Sequence, residues 1–201
     1  MYEEDDREES RYGRDKFKSI DTGFIESGEY RRKFDCISEN EKLNRSLYQT
    51  AKKILYHRSG TEFEDMFWLD FDTGKVFASI TDMSEPSRVI YPMSFMDKHK
   101  HISRKVTIHN HPRSMPPSFG DFDSAYRNGY ELGIVVCHDG TVYSYGVTSF
   151  PNKEVYDNLS SEFRSLKYST FTSQLKTLEK MDSLNLLKFK EMTANDQLRR
   201  R

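Results

Sequence analysis

Apolar positions recur with a helical period over residues 40–57, where Leu43, Leu47, Tyr48, Ala51, Ile54 and Leu55 share one face. Asn40 is placed to cap the start and Gly60 to punctuate the end. The mixed stretch 24–35 predicts a short helix or ordered turn. The period then shortens. FEDMFWLDFDTGKVFASITD predicts two strands, roughly 63–71 and 75–81, with a turn at Asp72-Thr73-Gly74-Lys75. Residues 82–102 are irregular, contain Pro86 and Pro92, and offer a short helix only in SFMDKHKHI. RKVTIHN, 104–110, predicts a strand with Val106 and Ile108 facing one way. A short helix over 119–130 stops near Gly129, and ELGIVVCHDGTVYSYGV predicts a hairpin turning at Asp139-Gly140. From 151 the pattern is helical, with one stripe of Val155, Leu159, Phe163 and Leu166. A looser second stripe contains Leu175, Leu178, Met181, Leu184, Leu187 and Phe189. This order predicts an α+β domain at 40–150, an N-terminal segment at 17–39 and a C-terminal helical extension at 151–201.

Composition narrows the class. The chain has 201 residues and a formal charge of −1, from 31 basic and 32 acidic side chains, so no basic field recommends nucleic acid as a partner. Residues 1–16 carry 11 charged side chains and predict a solvated, disordered tail. That acidic start lacks the apolar core of a secretory signal, and no run reaches the roughly 18 apolar residues a membrane span needs. Cys36 and Cys137 form neither a disulfide framework nor a metal clip, which fits a reducing compartment. The expectation is a cytoplasmic protein with no membrane partner.

The chemistry concentrates in TIHNHPRSMPPSFGD, 107–121. Alternation along a strand puts His109 and His111 on the same side, one pleat apart, which suits two imidazoles on one metal ion. Pro112 stops strand pairing, Met115-Pro116-Pro117 stiffens the turn, and Ser118 starts a helix with Asp121 in its first turn. Two histidines and one carboxylate leave a tetrahedral position open, the donor set of a catalytic zinc site. The same residues admit a plainer account: Ser118-Phe119-Gly120-Asp121 is an S-x-x-D capping box, and an edge strand can carry two exposed histidines. A metal site also needs a base, and Glu62 and Glu64, two apart on the predicted strand, share a face.

The arrangement H-N-H-P followed by S-x-x-D, with an upstream acid, resembles the zinc motif of the JAB/MPN/JAMM-type metalloproteases. It is closer to their bacterial RadC-like and phage-associated branch than to eukaryotic deubiquitinases. The segments EYRRKF, HRSGTEFEDMFWLD, TIHNHPRSMPPSFGDF and CHDGTVYSY extend the likeness over about residues 25–150. One departure stands out: six residues, Pro112 to Pro117, separate His111 from Ser118 where the family has seven. The resemblance implies an MPN (JAB)-like mixed sheet flanked by helices. It also implies Zn²⁺ on His109, His111 and Asp121, with Ser118 assisting the carbonyl oxygen and an upstream glutamate as base. Glu64 fits that last role, although alignment on Leu69-Asp70 favours Glu62. The implied activity is a zinc-dependent peptidase or isopeptidase, encoded by a phage or mobile element. Its substrate would be a protein or peptide, such as a ubiquitin-like tail or a phage structural protein.

Against this stands a non-catalytic JAB-like interaction or assembly module, for which the short loop and the C-terminal helices argue. Those helices also offer a self-association face. The pair His99 and His101 lacks a following S-x-x-D and predicts an exposed polar pair. His138 predicts turn chemistry, Asp123 a helix-surface acid and Cys137 a buried small hydrophobe.

Overall fold

A computed structural model describes residues 18–81 and 101–196. The tail 1–16, the helix expected in 94–102 and His99 fall outside the described residues, wholly or in large part. Two short helices, α1 (Thr22–Ile25) and α2 (Gly28–Arg32), precede the long α3 (Glu41–Arg58). Then come β1 (Met66–Asp70), β2 (Val76–Ile80), β3 (Lys105–His111), α4 (Phe119–Asn128), β4 (Tyr130–Cys137) and β5 (Val142–Gly146). The chain ends with α5 (Lys153–Ser165), α6 (Thr170–Ser183) and β6 (Lys188–Glu191). The protein is thus α+β, with one six-stranded sheet in the order β2-β1-β3-β4-β5-β6.

Local chemistry accounts for the boundaries. Asn40 Oδ1 accepts from the backbone N–H of Lys42 and Leu43, which starts α3 as expected. Gly129, at φ 62°, closes α4 in the left-handed conformation that glycine tolerates.

Alternation along the strands divides the interior into two layers. Phe67, Leu69, Val106, Ile108, Ile134 and Val136 pack under Tyr30, Phe34 and the buried stripe of α3. Met66, Trp68, Val135, Cys137, Tyr143 and Tyr145 face the other way, against Phe122 and Ala125 of α4 and Leu178 and Met181 of α6. The N-terminal segment therefore contributes to the main core.

Every strand pair is antiparallel except β3–β4. A parallel pair needs a long crossover, and residues 112–129, containing α4, supply it. This crossover places the end of β3 beside the start of a helix, at the carboxyl edge where α/β sheets usually bind ligands.

Two expectations are corrected. The leucine-rich stripe does not continue as helix to Phe189. The helix ends at Ser183, Asn185 turns the chain at φ 57°, and Phe189 lies on β6, stacked on Tyr143 at 5.6 Å. The first predicted strand is also too long at its start. Residues 61–65 form no strand, so Glu62 and Glu64 need not share a face.

Candidate functional site

His109 lies on β3 and His111 ends it, both on the α4 side of the sheet, while Asn110 between them turns to the α3 side. His109 is buried behind Tyr145, whose ring stands 6.3 Å away and crosses it edge-on. Tyr145 in turn covers Gly133, where a Cβ would come within 2.1 Å of the ring.

The loop that leads to Asp121 is tightly folded. Ser114 takes φ 54°, and its hydroxyl accepts from the backbone N–H of Asp139 at the β4–β5 turn. Met115 O accepts from His111 Nδ1 at 2.8 Å. Gln174 of α6 donates through one amide nitrogen to Pro116 O at 2.9 Å and Pro117 O at 3.0 Å. At Ser118 the chain enters α4, and both its backbone N–H and its hydroxyl donate to Asp121 Oδ2, at 2.6 and 2.8 Å. The capping box and the proposed ligand are therefore the same carboxylate: one oxygen caps the helix, and the other lies 3.2 Å from His109 Nε2. The six-residue loop closes the distance that the shortened spacing put in question.

Three donor atoms converge. The two Nε2 atoms stand 3.1 Å apart, and His111 Nε2 is 3.7 Å from Asp121 Oδ2. Ligands about 2.1 Å from a tetrahedral zinc are separated by roughly 3.4 Å, so the spacing fits such an ion. His109, His111 and Asp121 are the group of described residues that could hold a metal.

The tautomer of His111 supports the same conclusion. Met115 O can only accept, so His111 carries its proton on Nδ1 and aims a bare Nε2 at the other donors. Asp121 Oδ1 and the bare His111 Nε2 can only accept, so by hydrogen bonding alone the His109 proton belongs on Nε2, where a metal would displace it. The buried His109 Nδ1 has no partner among the described residues. A cation at the shared point would satisfy all three donors at once. Burial alone would raise the Asp121 carboxyl, but the two imidazoles and the Ser118 hydroxyl outweigh it and hold the group below the usual carboxylate range.

The two candidate bases part company. Glu64 is buried, and burial pushes its carboxyl up to about 7; His111 opposes the rise and Asp121 adds to it, which places the carboxyl in the electrostatic range of the cluster. Glu62 pairs instead with Lys18 at 2.5 Å and Arg113 at 3.0 Å. Although burial works against them, these cations hold its carboxyl below its ordinary value. The next residue, Asp65, is buried against Arg58, with His57 Nδ1 at 2.6 Å, so the chain is pinned just past Glu64.

Comparison of the chain with family models, curated proteins and solved structures returns no match.

Cys137 is buried, as expected, and Asp123 pairs with Arg127 on the surface of α4 at 2.7 Å. His101 is exposed. His138 does sit in the turn closed by Gly140 N–H on Cys137 O, but it is more than turn chemistry: it is buried, with Nδ1 2.6 Å from Lys18 O and Nε2 3.1 Å from Asn110 Nδ2. A missed residue with a sequence signal is Asn110, which shares strand parity with Val106 and Ile108 and so had to face the core. Gln174, 57 positions beyond Pro117, gave no such signal.

A cleft of about 880 Å³ lies at the opposite end of the strands, and none of the motif residues lines it. Its walls mix Arg104, Lys188 and Lys190 with Glu39, Asp72, Glu131 and Asp182, a near balance that selects no ligand charge. Among the described residues no helix is long and apolar enough to cross a membrane.

Proposed function

We propose that the chain is a zinc-dependent peptidase or isopeptidase of the JAB/MPN type, acting on a protein or peptide. The observation that carries this reading is the convergence of His109 Nε2, His111 Nε2 and Asp121 within 3.1 to 3.7 Å, with a buried Glu64 carboxyl that feels the charges of His111 and Asp121. The mixed sheet and the placement of the motif at the end of β3 fit an MPN-like architecture. A bound zinc ion would supply Lewis acidity, polarising an amide carbonyl and acidifying water.

The chain's own residues have distinct parts in this scheme. His109, His111 and Asp121 would hold the ion. Glu64 takes the proton from the attacking water and returns it to the leaving amine, a task suited to a carboxyl poised near neutral pH. The Ser118 hydroxyl, exposed at the helix start, turns from Asp121 to donate to the oxygen that gains charge.

Metal analysis of protein purified without chelators should find about one zinc per chain, and His109→Ala should lose it. Proteome-wide comparison of cleavage by wild type and Glu64→Gln then identifies substrates. Absence of bound metal, with His109→Ala unchanged in stability, would sink the reading. A Glu64→Gln variant that binds metal and keeps full biological function would favour a non-catalytic interaction module.

A further inference from the structure

Residues 61–65 carry the proposed base yet belong to no strand, so no ladder of backbone hydrogen bonds holds them. One side chain replaces that ladder. Asn110 is fully buried and faces away from the two histidines that flank it. Its Oδ1 accepts from the backbone N–H of Asp65 at 2.8 Å, and its Nδ2 donates to Phe63 O at 3.1 Å. A single amide thus grips the backbone on both sides of Glu64, as a neighbouring strand would.

Asn110 is itself held. Lys18 O can only accept, so the proton of His138 sits on Nδ1, 2.6 Å from that carbonyl. His138 Nε2 is then a bare acceptor for the second proton of Asn110 Nδ2, the two nitrogens lying 3.1 Å apart. This contact fixes which way the amide points. Reversing the amide would set its oxygen against both Phe63 O and the His138 lone pair. It would also set its protons against the Asp65 N–H. Each donor along the path from Lys18 to Asp65 meets an acceptor, in surroundings where an unmatched group costs roughly 1–3 kcal/mol. Burial favours the neutral imidazole that this pattern requires.

We propose that Asn110, oriented by His138, is the positioning residue that holds Glu64 beside the metal cluster. Neither side chain is a ligand, and Asn110 acts from the far side of β3. The inference rests on the metallopeptidase reading, because it assigns these residues a part in that chemistry.

Cobalt(II) loaded into the full-length protein is the probe. The pH at which its visible spectrum changes reports the ionisation that Glu64 faces. Glu64→Gln should shift that pH. Asn110→Ala and His138→Phe should shift it in the same direction by at least half as much, with cobalt stoichiometry unchanged. Leu47→Ala, which loosens the core under α3 without touching residues 63–65, should leave it in place. If Asn110→Ala does not fold, His138→Phe decides, because it keeps Asn110 in place and removes the contact that fixes which way its amide points, freeing the grip on Phe63 and Asp65 to break. Cobalt bound normally, with transitions unshifted in the folded variants, overturns the positioning role alone. So does an equal shift in Leu47→Ala. A wild type that binds no cobalt, or a Glu64→Gln transition identical to wild type, overturns the metal reading or the base assignment, and this inference with it.

Discussion

Glu64 should make the metal-free protein less stable as pH rises, the reverse of an ordinary salt-bridged carboxylate. Below about 4.5 the group is neutral in both folded and unfolded chains and costs nothing. Between there and about 7 the unfolded chain has released its proton while the buried carboxyl retains it. The folded state then binds more protons, and stability falls by about 1.4 kcal/mol per pH unit. Above about 7 both states are ionised and the full loss, roughly 3 kcal/mol, persists. Glu64→Gln keeps the shape and removes the titration, so any constant effect of the amide cancels between pH values. The test is urea or thermal denaturation of chelator-treated wild type and variant at pH 4.5 and pH 8. The stability difference between variant and wild type should grow by roughly 3 kcal/mol over this interval, or roughly 6–12 °C in Tm for a chain of this size. Other carboxyls titrate in both proteins and drop out. Parallel pH dependence in the two proteins would refute the claim that Glu64 is buried as a strained base.

Three further substitutions probe the supports of the site. Gly133→Ala puts a methyl 2.1 Å from the Tyr145 ring and should cost about 3 kcal/mol by urea unfolding, because the ring is held between His109 and Phe122. A loss under 1 kcal/mol would mean that the ring moves freely. Gln174→Ala strips the Pro116 and Pro117 carbonyls of their shared donor and should weaken zinc binding about tenfold in chelator competition. Unchanged affinity would show that the loop holds its shape without α6. Arg58→Met leaves the Asp65 carboxylate buried without its guanidinium and should cost roughly 3–5 kcal/mol. A neutral result would remove Arg58 from the frame behind Glu64.

Much of this arrangement was legible where periodicity and local rules govern. Leu43 to Leu55 gave α3 with its cap, strand parity put His109 and His111 together, and S-x-x-D put Asp121 at a helix start. The choice between Glu62 and Glu64 was not legible, because it depends on partners remote in sequence: Lys18 and Arg113 draw Glu62 away, and Asn110 fixes the backbone around Glu64. The consequence of the short His-to-Ser loop was equally hidden, since it turns on Ser114 adopting a left-handed backbone that nothing in its type requires. Phe189 fitted a helical stripe because apolar spacing over a few residues cannot tell a helix end from a short strand. His138 stands beside an Asp-Gly turn, but its role comes from the carbonyl of Lys18, brought over from the other end of the chain.

The strands β5 and β6 are adjacent and antiparallel, so the chain that leaves Gly146 returns to Lys188 across one hydrogen-bonded rung. Everything between, α5 and α6 included, is an excursion with almost no net displacement, like a handle with both feet on one rail. Its far bend at Leu166–Tyr168 is exposed and already contains a left-handed residue, Lys167 at φ 62°. A reporter or a whole domain spliced at that bend would ride outside the sheet without prying its strands apart. The same geometry would let a lineage lengthen the handle at this bend while α6, the rail and the cluster at the end of β3 stayed as they are.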